Sequence, residues 1–363
     1  MKLKNKIVAV LLLFGMTVVA QKNKSPKVIL ITLDGLRWQE LFTGADSLLV
    51  GNKDYVSNTD ELKATFWRNT AEERRKILLP FVWNKLSKMG QIYGNRAKNS
   101  KVDLTNTMWF SYPGYNEILT GKADDKNITS NSKINNPNTT VLEVLNNTSA
   151  YKGKVAAFGS WDVFPFIINE ERSGIPVNAG FEKAKGNKLT DKEEFLNKLQ
   201  GQTPSPWGSV RLDVFTHNFA LEYMEKAHPE VVYISYGETD DFAHDGDYDA
   251  YLNAAQNTDG FIEELWNFTQ NDSFYKDNTV FLITTDHGRG TQPLDTWKHH
   301  GSSVKGAGEV WFISFGKGVA NLGEVTKNEQ LYSNQIAPTI LDILKNKVDK
   351  ESMPANPIHL NKK

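Results

Sequence analysis

Residues 231–244 read VVYISYGETDDFAH: a nearly unbroken apolar run, then a glycine, then carboxylates and a histidine. An apolar run without alternation is the pattern of a strand buried on both faces of a parallel sheet. Working outward, similar runs occur at 27–34 (KVILITLD), 154–158, 279–286 (TVFLITTD) and 310–315 (VWFISF). Stretches with helical periodicity separate them, at 78–89, 141–145, 213–227, 247–268 and 333–344. This alternation predicts an α/β fold, a three-layer α/β/α sandwich with a mostly parallel central sheet. Two polar stretches without a clear period, 51–75 and 169–209, read as insertions over the sheet edge or the site, within one domain spanning 21–363.

The charge balance narrows the function classes. The chain has 363 residues with 42 Lys plus Arg against 43 Asp plus Glu. It therefore lacks the basic excess of a nucleic-acid or anionic-membrane binder. With no cysteine, disulfides, thiolate metal sites and thiol nucleophiles are excluded, and any metal must be held by histidine and carboxylate. Residues 1–20, three lysines followed by an apolar run ending at Ala20, have the layout of a signal peptide and are too short to span a bilayer. The expectation is an exported protein, periplasmic or secreted, with no anchor after cleavage. The oligomeric state is left open.

In open α/β sheets, functional groups collect at the carboxyl ends of strands, and this chain places its acids and histidines there. Asp34 ends the first run. Asp240 and His244, spaced i and i+4 after 231–236, share one face of a helix and suit two ligands of one cation; Asp241 is the alternative to Asp240. Asp286 and His287 end a third run and can reach one centre at a bend. His300 precedes Gly301 and is preferred to His299. Ser111 opens a segment, SYPGYNEILTG, that reads as a helix beginning at a Pro-Gly turn, so its hydroxyl sits where free amides favour an anion. A helix cap is the plain reading of that serine; beside cations it becomes a nucleophile.

The order Asp34, Ser111, Asp-x-x-x-His, Asp-His-Gly and His-Gly resembles the alkaline phosphatase superfamily, particularly its phosphodiesterase and nucleotide pyrophosphatase branch. The resemblance spans about residues 27–344. It implies two Zn2+ ions, with Mn2+ a possible substitute. One would be held by Asp240, His244 and His300, the other by Asp34, Asp286 and His287, with Ser111 beside the second. It also implies a phosphoryl-binding asparagine, for which Asn131 is the nearest match. The family's phosphodiesterases usually carry threonine at the nucleophile position, and this chain has serine. The implied activity is hydrolysis of a small phosphorylated substrate through a phosphoseryl intermediate.

Three other readings compete. A sulfatase shares the fold, but Tyr115 stands where formylglycine formation calls for arginine. A phosphoglycerate mutase fits poorly with export. A non-catalytic extracellular binding protein would need only a closed, single metal site, whereas six ligands and a serine leave open positions. Neither Gly-x-Ser-x-Gly nor a P-loop occurs. Arg37, Trp38, Trp161 and Lys298 lie near the motifs in sequence and read as structural.

Overall fold

The first strand, β1 (Lys27–Leu33), is buried along its whole length, and its alternate residues feed two separate cores. Ile29, Ile31 and Leu33 point into one, and Val28 and Leu30 into the other. Side chains of a strand alternate between faces, so a strand apolar at every position must be covered on both sides. The computed structural model describes residues 26–346 and 353–361. The expected signal peptide lies outside the described residues.

In chain order the remaining strands are β2 (Gly90–Tyr93), β3 (Ser100–Asp103), β4 (Val155–Gly159), β5 (Val177–Ala179), β6 (Val231–Tyr236), β7 (Thr279–Thr284), β8 (Glu309–Val310), β9 (Phe312–Gly316), β10 (Gly323–Glu324) and β11 (Glu329–Tyr332). Eight of them form one sheet in the order β10-β2-β9-β7-β1-β6-β4-β5, and β11, β3 and β8 form a small second sheet. From β7 through β5 the large sheet is parallel; β9 runs antiparallel to both of its neighbours, β7 and β2. One face is covered by the helices Asp213–Ala227 and Tyr248–Asn271, through residues such as Phe215, Phe219, Tyr251 and Leu265. The other is covered by Ser111–Thr120, Val141–Asn146 and Ile336–Ile343. The expected three-layer α/β/α sandwich is the architecture observed.

Local departures have local causes. The helix expected over 78–89 is interrupted: the helix Ala71–Leu78 stops before Pro80, and a π-helical turn, Val82–Leu86, runs on into Ser87–Met89. Proline disfavours helical backbone at the residue before it, and Leu79 is accordingly out of the helical region at φ -127°, ψ 69°. The run at 310–315 is split between two sheets, with β8 in the small one and β9 in the large one. The two aperiodic stretches are structured. The first carries the helix Thr59–Phe66, and the second carries edge strand β5 and the helix Asp191–Gln202. Among the described residues no helix is long and apolar enough to cross a membrane.

Candidate metal centre

The three strands followed by acids and histidines are neighbours, in the order β7-β1-β6, at the middle of the sheet. They are parallel, with Thr32 opposite Thr284 and Leu33 opposite Tyr236, so all three deliver their next residues to the same edge. Adjacent strands lie about 4.8 Å apart, close enough for side chains from three loops to meet.

Asp34, leaving β1, and Asp286 and His287, leaving β7, form one group; Asp240, His244 and His300 form another. In each group one ligand-type atom per residue lies within 4.8 Å of the others. Asp240 and His244 sit on the short helix Glu238–Asp245 after β6, with His244 Nε2 3.2 Å from Asp240 Oδ2. His300 comes from the loop after β7. Its Nε2 is 2.9 Å from that of His244. Buried Trp297, packed edge-on against Tyr55, Tyr248 and Tyr251, anchors that loop. The groups adjoin: the rings of His287 and His300 are 4.0 Å apart between centroids.

The inner group is fully buried, and its hydrogen bonding bears on what it holds. Asp34 Oδ2 accepts from the Tyr115 hydroxyl at 2.8 Å, and Asp286 Oδ1 accepts from the Gly35 amide at 3.1 Å. The second oxygens, Asp34 Oδ1 and Asp286 Oδ2, are buried and accept no hydrogen bond. Both point at His287 Nε2, at 3.3 and 3.5 Å. The other ring nitrogen, Nδ1, is 3.0 Å from the Gly288 carbonyl, which can only accept, so the ring proton belongs on Nδ1 and a lone pair on Nε2 faces two carboxylate oxygens. Two unpartnered carboxylate oxygens and an imidazole lone pair converging in a buried space are costly unless a cation lies between them. The donor set of carboxylate and imidazole fits a divalent metal.

The electrostatics agree. Burial, then the charge of Asp240, holds the Asp34 carboxyl well above the usual range; burial, then Asp34, does the same to Asp286. Burial also opposes the charge on Asp240, yet Arg289 and the two histidines hold it well below the usual range.

Ser111 is the first residue of the helix Ser111–Thr120, and its Oγ is 3.4 Å from His287 Nε2. A cleft of about 290 Å³ opens over it, lined by Asn131, Trp161, Ser209, Val210, Gly237 and Asp241 together with Asp34, Asp240, His244 and His300. Asn131 Oδ1 accepts from the Tyr112 amide at 3.0 Å, in the first turn of the Ser111 helix. Burial, then Asp240, pushes the Asp241 carboxyl up to about 9. Trp161, read from sequence as structural, is part of the cleft wall. Arg37 is buried on Glu40 and Gly290 O, Trp38 Nε1 donates to Glu309, and Lys298 lies over the Tyr55 ring; none of the three lines the cleft. His299 joins neither group.

A family model described as the Metalloenzyme superfamily matches residues 209–348, a span containing Asp240, His244, Asp286, His287 and His300. Over these residues, somewhat over a third of the chain, the protein is similar to that superfamily. Among solved structures, it is similar to the wild-type alkaline phosphatase PafA at 10% identity and a TM-score of 0.59, over 92% of this chain and 98% of that one. It is also similar to the phosphonate monoester hydrolase SpPMH from Silicibacter pomeroyi, at 13% identity and TM-score 0.56, over 92% of this chain and 76% of that one. A third, BT1596, a 2-O GAG sulfatase, is 12% identical with TM-score 0.55, over 91% of this chain and 73% of that one. Identities this low show a shared fold alone and leave the reaction to the site. Among curated proteins none matches.

Sequence reading missed three parts of the centre. Arg289, fully buried, binds Asp240 and three backbone carbonyls around it. Tyr115 holds Asp34. Gly35 has φ +60°, and a Cβ there would come within 2.8 Å of Asp240 Oδ1 and 2.9 Å of Arg289 Nε. None had a local signal, because each matters only through residues distant in the chain.

Proposed function

We propose that this protein is an exported two-metal hydrolase of phosphoric esters that works through a phosphoserine at Ser111. The observation that carries the reading is the pair of adjoining three-residue groups with Ser111 beside the inner one, at the floor of an open cleft. Asp34, Asp286 and His287 would hold one Zn2+, and Asp240, His244 and His300 the other. When bound, such a pair neutralises phosphoryl oxygens and makes a serine hydroxyl more acidic.

The chain's own residues supply the rest. Ser111 Oγ forms a bond to phosphorus while the bond to the leaving alcohol oxygen breaks, the serine proton ending on that alcohol; water then adds to phosphorus, the phosphoseryl bond breaks, and one water proton returns to Ser111 as the phosphate product leaves. His287 Nε2 is not the base for Ser111, since that atom faces the carboxylates as a ligand. Its short distance instead fixes the serine against the inner group. The N-terminus of the serine helix presents amides and a positive dipole end to the phosphoryl group. Asn131, held by its Oδ1 and lining the cleft, would donate from Nδ2 to a phosphoryl oxygen.

The residues that line the cleft include no lysine or arginine. That charge balance favours a singly charged phosphodiester over a doubly charged monoester. Sulfate ester hydrolysis is disfavoured by Tyr115, whose hydroxyl is committed to Asp34. Assays on aryl phosphodiester, aryl phosphate and aryl sulfate separate the three classes.

Ser111→Ala decides the mechanism. Loss of a mere cap costs about 1 kcal/mol and leaves chemistry intact, whereas loss of the nucleophile leaves the fold and metals and removes a step. The variant should keep its metals and nearly its Tm while turnover falls by orders of magnitude. Acid-quenched wild type should carry phosphate on the Ser111 peptide. Full activity in the alanine variant would rule the serine out.

A further inference from the structure

The two groups differ in how their charge is balanced. Asp34 and Asp286 have no lysine or arginine ion-paired to them among the described residues, so the inner group carries two uncompensated carboxylates. The outer group has one carboxylate, Asp240, and that one is already paired with a buried guanidinium. Arg289 donates from NH2 to both the Oδ1 and the backbone oxygen of Asp240, the latter at 2.9 Å. It also donates from Nε to Gly35 O at 3.2 Å and from NH1 to Lys298 O at 2.6 Å. Three backbone carbonyls from three separate segments of the chain therefore hold it in place. The oxygen it engages, Asp240 Oδ1, is also the one nearest the inner group, 3.6 Å from His287 Nε2, and lies 3.8 Å from His300 Nε2.

We propose that Arg289 makes the two metal positions unequal, so that the inner ion is held tightly and the outer ion is weakly held and exchangeable. This rests on the two-metal reading above. A cation entering the outer group must share Asp240 with a fixed positive charge, and the group then offers two neutral imidazoles and no net negative charge. A cation entering the inner group meets two carboxylates and neutralises them in a buried, low-dielectric space, where opposite charges attract most strongly. Exposure acts in the same direction, because His244 is 41% exposed, whereas Asp286 and His287 are at 0%. Arg289 is a positioning residue on this view: it acts on the metal through Asp240.

The test is a zinc titration of the chelator-stripped full chain against a chromophoric competitor, which reads affinity without needing turnover. Wild type should show two classes of site differing at least about tenfold in Kd. His300→Ala should abolish the weaker class and leave the tighter one. Arg289→Gln, which removes the charge, should tighten the weaker class about tenfold or more, and Arg289→Lys, which keeps it, should stay near wild type. A single class of sites, loss of the tighter class in His300→Ala, or no tightening in Arg289→Gln would overturn the proposal. If Arg289→Gln does not fold, the His300→Ala assignment decides. Wild type that binds no zinc at all would instead overturn the two-metal function itself.

Discussion

Asp240 and Asp241 are adjacent acids with different surroundings: Asp240 faces His244, His300 and Arg289, while Asp241 faces the open cleft. Asp240→Asn should lose the outer metal and most turnover, while Asp241→Asn should fold and keep both metals and substantial activity. Metal analysis beside a turnover assay checks this, and the reverse pattern would move the ligand by one residue. Gly35 tests the same corner from the backbone. Its left-handed conformation costs an alanine about 1–2 kcal/mol, and the added methyl would press on Asp240 Oδ1 and Arg289. Gly35→Ala should therefore lower both Tm and outer-site metal content. A variant with normal metal content would show that this corner has slack.

At the scale of elements, the long helix Tyr248–Asn271 secures the break at Pro80 through one residue. Asp259 is buried, and its carboxylate accepts from the Phe81 amide at 2.7 Å and the Val82 amide at 2.9 Å. Burial, with a smaller contribution from the charge of Glu263, pushes its pKa up to about 7. An acid whose pKa is raised by folding binds its proton more tightly in the folded state. Stability from this group is thus fully present below the unfolded value near 4 and is lost as pH rises toward 7. The loss is of the order of a few kcal/mol. Melting curves at pH 5 and pH 8 should show a smaller difference in Asp259→Asn than in wild type. Equal differences would remove Asp259 as a source. The serine helix is placed by a similar close approach, since a side chain at Gly114 would collide with the Asp286 carbonyl.

For the whole molecule, the centre joins loops from β1, β6 and β7, so a metal bound there ties together the middle of the sheet. A ligand that binds only the folded state stabilises it, by about 2.7 kcal/mol at a free concentration 100 times Kd. Purified protein should carry about two zinc ions per chain, and stripping them with chelator should lower Tm and abolish activity, both recovering on zinc readdition. At most one ion under zinc-replete conditions would contradict the reading.

The sequence by itself determined the layers and which acids and histidines stand at the strand ends. Runs such as 27–33 and 231–236 are apolar at nearly every position, which only a doubly covered strand tolerates, and the i, i+4 spacing of Asp240 and His244 needs nothing beyond a helix. Strand order lay beyond it. That β1 sits between β6 and β7 follows from packing among residues some two hundred positions apart, and this order alone brings Asp34, Asp240 and Asp286 to one edge. The edge strand β5 was hidden because three residues carry too little periodicity to register. Arg289 was silent for a different reason: its partners are a carboxylate on the helix after another strand and three carbonyl oxygens. A backbone carbonyl is present at every residue, so nothing in the sequence marks the ones that a folded chain turns toward a buried guanidinium.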